Sequence, residues 1–351
     1  MPDAIIQPQP FSSLTIGSVP FTGPAEALES LVSVDIPAYP QLVQLGLEED
    51  MLFGALDGLY FVRGAAEEQR ITVPAAGLEE NLARFYESFY AADFSFLAPG
   101  PKSSRGLAPF LEKAEKDPAF GRHHLKAQVA GPLTLGQSVR TEAGRLALDE
   151  PDLLEALALG LGGKAAYLGR LIRQTGRGAV VFVDEPGLTG YGSAFSSLSE
   201  ETVLKTLETS LEAAQSQGPV LLGCHVCGNT DWGLLARTRM DILNFDAFNY
   251  LEPFCLYPRE LAAFLEKGGW IAYGLVPTED YTPDLTAAGL LDHLARGLET
   301  LVKHGISREL LSRRALFSSS CGLGQLAPDR ARAILQLLAE VSSLARSRGI
   351  F

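Results

Sequence analysis

Gly218-Pro219-Val220-Leu221-Leu222-Gly223-Cys224-His225-Val226-Cys227-Gly228-Asn229 joins an apolar strand to a group of metal-ligating side chains. Side chains alternate along a strand, so His225 and Cys227 point one way and Cys224 the other. A second cysteine-glycine step, Cys321-Gly322, ends another apolar run much later in the chain. Zinc commonly takes one histidine nitrogen and two cysteine sulfurs, and a catalytic site keeps one position open. Cys321 supplies the second sulfur if the fold brings the two strand ends together.

Working outward, further short apolar runs read as strands: 14–18, 125–129, 179–184, 241–246, 270–274 and 315–320. With 220–225 they make seven, and an eighth falls at either 57–62 or 94–97. Between them lie helical patterns. Leu154, Leu157, Leu161, Ala165, Leu168 and Ile172 recur at helical steps, as do Leu204, Leu207, Leu211 and Ala214, which predicts amphipathic covering helices. Ser197-Leu198-Ser199-Glu200 has capping-box spacing before the second, and Gly218 stops it. A last helix follows Pro328-Asp329, with Ile334, Leu337, Leu338, Val341 and Leu344 facing inward.

This alternation predicts an α/β fold with a parallel sheet, and about eight strands favour a (β/α)8 TIM barrel spanning 1–351 as a single domain. A doubly wound sheet is the alternative. The sequence contains neither GxGxxG after its first strand nor GxxxxGK[ST], the main dinucleotide and nucleotide signatures.

The chain of 351 residues is 46% hydrophobic and 20% charged, enough to bury a large core. Its 42 acidic and 29 basic residues give a net charge of −13, which argues against nucleic-acid or anionic-membrane surfaces. MPDAIIQPQP lacks the basic flank and apolar stretch of a secretion signal, and no run approaches a membrane span of roughly 20 residues. A cytoplasmic protein is expected. Four cysteines are too few for a disulfide scaffold and point to thiols or metal thiolates.

In a barrel the polar residues closing the strands share one rim: Ser18, Gln128, Asp184-Glu185, His225 and Cys227, Asp246, and Cys321. Asp246 closes the strand after the one bearing His225 and Cys227, and is the expected oxygen ligand to Zn2+, the alternative being a helix N-cap or an acceptor behind the ligands. A thiol entering the open position of such a site is held as thiolate, because the dication lowers its pKa well below the roughly 8.5 of a free thiol. Cys224 and Cys255 read as small buried hydrophobes. His123, His124, His293 and His304 read as solvent-facing.

Ile16-Gly17-Ser18 with Pro20, Asp184-Glu185-Pro186, His225-Val226-Cys227 and Cys321-Gly322-Leu323 occur in one order at strand ends. In this the chain resembles the catalytic barrel of cobalamin-independent methionine synthase, in the uroporphyrinogen decarboxylase and methionine synthase superfamily. The resemblance spans nearly the whole chain. It implies a methyltransferase in which His225, Cys227, Asp246 and Cys321 bind zinc and a small thiol, homocysteine, is methylated to methionine. It further implies that Ile16, Gly17 and Ser18 hold the acceptor's carboxylate and Asp184 its ammonium group.

Asp246 stands where the family has a glutamate. Gly274-Leu275-Val276-Pro277-Thr278-Glu279 lacks the family's proton-donating histidine, and the chain holds one barrel where the full enzyme has two. Both losses fall on the folate side, which implies a corrinoid, free or protein-bound, or another donor that is not polyglutamyl folate. The alternatives are a corrinoid-dependent transferase for another thiol such as coenzyme M, a metal-free decarboxylase of an acidic tetrapyrrole, and a non-catalytic partner of a corrinoid protein. A sulfonate thiol or a tetrapyrrole would want cations at the rim, and few adjoin these strand ends.

Overall fold

The computed structural model describes residues 5–192 and 198–351. Its strands, in chain order, are β1 (Arg63–Ala65), β2 (Arg70–Val73), β3 (His124–Ala130), β4 (Val139–Thr141), β5 (Gly178–Asp184), β6 (Leu221–Val226), β7 (Ile242–Phe245), β8 (Trp270–Val276) and β9 (Ala315–Ser319). Six form a curled, fully parallel sheet in the order β3-β5-β6-β7-β8-β9. Helices follow these strands, as parallel crossovers require, and the result is a TIM-barrel-like α/β fold.

The edges of the sheet are joined through two short extended stretches. Leu14 N–H donates to the Phe317 carbonyl (2.8 Å), Ile36 N–H to Ser13 (2.9 Å), and Tyr39 N–H to Lys126 (3.0 Å). Parallel bridges pair Ser13 with Phe317, Leu14 with Ile36, and Ala38 with Lys126. The second stretch is therefore Ile36–Gln41, and neither 57–62 nor 94–97 takes that place. Residues 57–62 are turns, and Phe94–Leu97 is a 3-10 helix drawn into an aromatic cluster, with Phe94 stacked 5.0 Å from Phe89.

Leu14, Ile16, Ile36, Val180, Phe182, Leu221 and their neighbours fill the inside of the ring. A larger cluster lies between the sheet and its helices, and includes Leu157's neighbours on the same helix, Ala165, Leu168 and Ile172. That helix, Pro151–Gln174, is buried on a second face as well. There Leu153, Leu157 and Leu161 pack against Leu59, Phe61 and Phe85 of the segment between residues 42 and 123. Gly160 allows the close approach, since a Cβ would overlap Leu59. The helix thus has two buried faces, not the single inward face of an amphipathic covering helix. The same segment carries β1 and β2, which with β4 make a small second sheet.

Helix Glu200–Gln215 is capped by Ser199, whose hydroxyl accepts from Thr202 N–H at 3.1 Å; Ser197 lies outside the described residues. The final helix, Pro328–Arg348, buries Ile334, Leu337, Leu338 and Val341 as expected, with Leu344 half-buried. His124 departs from expectation. It opens β3 in a buried position, its Nε2 2.9 Å from the Ile6 carbonyl, and burial lowers its pKa. His123 and His304 are exposed and His293 half-buried. No described helix is long and apolar enough to cross a membrane.

Candidate metal centre at the strand ends

β6 turns Leu221 and Gly223 into the ring and Leu222, Cys224 and Val226 outward beneath the helices. Gly223 is required by its neighbour, since a Cβ would run into the Phe182 ring. His225 continues the inward phase, and Cys227 follows just past the strand. Cys224 lies among apolar side chains, where burial pushes its thiol up. Cys255 is likewise buried, its pKa raised to about 12 by burial.

Cys227 Sγ lies 3.2 Å from His225 Nε2 and 3.5 Å from Cys321 Sγ. The ligand atoms of all three residues fall within 4.8 Å of one another. A tetrahedral zinc at ordinary bond lengths separates such atoms by about 3.5–3.8 Å, so the two Cys227 separations lie within about a few tenths of an ångström of those the ion requires. Burial pulls the His225 imidazole down, but its contacts with Cys321 outweigh this and hold it above its ordinary value. Cys321 is held well below the usual thiol range, first by the Cys227 thiol, and Cys227 is pushed up by the same contact. Two cysteines beside a histidine are a set that gives up protons on taking a dication.

The strand register explains the histidine's orientation. His225 pairs with Asn244, and Asn244 with Ala272, across β6, β7 and β8. Asn244 Nδ2 donates to the Ala272 carbonyl (2.7 Å) and to Ser318 Oγ (2.8 Å). Its Oδ1 is thereby turned to His225 Nδ1, at 2.6 Å. An amide oxygen only accepts, so Nδ1 carries a proton, and Nε2 is the nitrogen turned toward the cysteines, free to ligate once its own proton is given up. Sequence reasoning missed Asn244, although a polar residue inside an apolar strand, in the same phase as Asp246, was a signal.

The structure does not bring Asp246 into the three-residue group among the described residues. Its Oδ1 accepts from the Phe248 and Asn249 amides and its Oδ2 from Asn249 Nδ2, all at 3.0 Å. The short side chain caps the turn that follows β7. Asp184, by contrast, is buried at the end of β5, and its Oδ1 has no donor among the described residues. Burial raises its carboxyl, opposed by Lys126 and His225. Glu185 turns away to accept from Leu133 N–H (3.0 Å), Thr134 N–H (2.8 Å) and Thr134 Oγ1 (2.6 Å), while burial pushes it up to about 7.

Ile16-Gly17-Ser18 lies beside Cys321-Gly322. A Cβ on Gly322 would overlap the Ser18 hydroxyl, and Leu323 N–H donates to the Ser18 carbonyl at 2.9 Å. Gly17 has φ +151°, a conformation that favours glycine, and Gln128 packs where a side chain would go. Behind this segment is Lys126, a second residue the sequence reading passed over. It is fully buried, with its Nζ 2.6 Å from the Ile16 carbonyl, and burial lowers its pKa to about 8.

Sheet order, helical cover and polar groups at the carboxyl ends of the strands define the class, a TIM-barrel-like α/β protein with a candidate metal centre. Its fold is similar to that of a B12-independent methionine synthase from Shewanella sp. W3-18-1, solved in complex with selenomethionine, with a TM-score of 0.56 and 16% identity over 96% of this chain and 98% of that one. A methyltransferase from Methanosarcina mazei matches with a TM-score of 0.50 and 13% identity, over 95% of this chain and 93% of that one. At these identities the likeness is one of fold. No protein-family model matches the sequence, and no curated protein does.

Proposed function

We propose that the protein is a zinc-dependent methyltransferase that methylates a small thiol, L-homocysteine, to give methionine. The observation that carries this is the convergence of His225 Nε2, Cys227 Sγ and Cys321 Sγ at the ring mouth, near a buried Asp184 oxygen that has no partner among the described residues. Those three residues would hold the metal, leaving a fourth position for the acceptor. Bound there, zinc would supply a Lewis acid that lowers the pKa of an incoming thiol.

The remaining chemistry belongs to the chain. Asn244 keeps the His225 proton on Nδ1. Asp184 offers a desolvated carboxylate to the acceptor's ammonium, and Ile16-Gly17-Ser18 receives its carboxylate. The fold likeness to a methionine synthase holding a methionine analogue supports this acceptor. The lack of a histidine in Gly274-Leu275-Val276-Pro277-Thr278-Glu279 favours a corrinoid or another donor that is not polyglutamyl folate. We read the two bridged stretches as completing a (β/α)8 barrel, residues 1–351 as one domain, and its location as cytoplasmic.

Metal analysis by mass spectrometry, with transfer assays from methylcobalamin to homocysteine, tests the reading. Near-stoichiometric zinc is expected in the wild type and its loss in a Cys227→Ser/Cys321→Ser variant. No metal after reconstitution under reducing conditions would sink the proposal.

A further inference from the structure

Lys126 has no part in the metal centre, yet it carries an ammonium group into the ring with no solvent exposure. A buried cation is costly unless well paired, and its partners are few. Nζ donates to the Ile16 carbonyl at 2.6 Å, lies 3.4 Å from Gln128 Oε1, and stands 4.3 Å above the Phe182 ring. Side chains from β3 reach across to the neighbouring stretches: Lys126 to Ile16, and Gln128 Nε2 to the Tyr39 carbonyl at 3.1 Å.

The effect falls on the residues after Ile16. Three successive carbonyls are taken: Ile16 by Lys126, Gly17 by Gln41 N–H (3.0 Å), and Ser18 by Leu323 N–H (2.9 Å). The Gly17 and Ser18 amides have no acceptor among the described residues. Tied carbonyls and spare amides give the segment the polarity of an anion-binding nest.

We propose that Lys126 is a positioning residue for carboxylate recognition, acting through the Ile16 carbonyl to hold the Gly17 and Ser18 amides ready for the carboxylate of an amino-acid thiol. This rests on the acceptor class proposed above. Lys126→Met in the zinc-loaded full chain is titrated calorimetrically with L-homocysteine and with 3-aminopropane-1-thiol, which keeps the thiol and amine but lacks the carboxylate. Homocysteine binding is expected to weaken by about tenfold or more, aminopropanethiol binding by less than about twofold, with zinc content unchanged.

Equal weakening of both thiols, or none, overturns the proposal. A crystal structure of the unliganded variant separates the two readings. If the wild type binds neither thiol, the acceptor assignment fails, and the variant's backbone decides the role of Lys126. A displaced Ile16–Ser18 backbone upholds that role, and an unmoved one overturns it. Should Lys126→Met not fold, Lys126→Gln is put through the same measurements under the same criteria.

Discussion

Lys126 and Lys164 are both buried, both donate to main-chain carbonyls, and both have a pKa lowered by burial to about 8. Their surroundings differ. Lys164, on helix Pro151–Gln174, donates to the Asp57 and Leu97 carbonyls, each at 2.9 Å, and so fastens the segment between residues 42 and 123 to the helix. Two carboxylates in that segment are also paired. Asp57 accepts from Gly100 N–H at 2.8 Å, and Glu49 from Arg105 N–H at 2.8 Å. At the ring mouth an Asp184 oxygen and two amides have no partner among the described residues, beside Lys126. Buried polar side-chain atoms are nearly always satisfied, so the lone Asp184 oxygen, next to two amides free to donate, suits a place that receives a ligand.

The largest test of this contrast is Phe85→Ala. Phe85 is fully buried, with its ring 5.3 Å from Phe61 and 6.1 Å from both Phe89 and Phe96. The cavity should cost about 3–5 kcal/mol in urea unfolding, with zinc content unchanged in the folded protein. Loss of metal in that variant would show the two regions to be one cooperative site.

Asn244→Ala sharpens the other side. Freed of its acceptor, the His225 ring no longer has a fixed tautomer, and zinc affinity by chelator competition should fall about 10–100-fold. Unchanged affinity would mean that the ring is oriented by packing alone.

The smallest effect is one of pH. A lysine whose folded pKa is depressed binds fewer protons in the folded than in the unfolded state between its two pKa values, so stability rises with pH across that window. For Lys164 the window runs from about 8 to 10.5. The wild-type advantage over Lys164→Met in urea unfolding should grow by about 1.5 kcal/mol between roughly pH 8 and 9.5. Parallel stability curves would show that Lys164 is not held in the state described.

What the sequence disclosed follows the same divide. The strands of the sheet are legible because each is an apolar run, and His225, Cys227 and Cys321 because alternation and strand ends give their phase. Ile36–Gln41 escapes because Pro37 and Pro40 read as a loop and its pairing consists of single bridges. The second buried face of helix Pro151–Gln174 escapes because Gly160 and Gly163 weaken the apolar pattern at the contact points with Leu59 and Leu97. Asp246 and Asn244 share a strand phase, so alternation alone does not tell a turn cap from a histidine's partner.

The bridged closure has a thermodynamic consequence. Most of the ring is held by continuous ladders, while residues 13–18 and 36–41 are stitched by isolated pairs. Local opening therefore concentrates at this seam, which is also where the Gly17 and Ser18 amides lie. A ligand anchored on those amides would clamp the seam, so occupancy of the mouth and rigidity of the whole ring are linked quantities, each favouring the other.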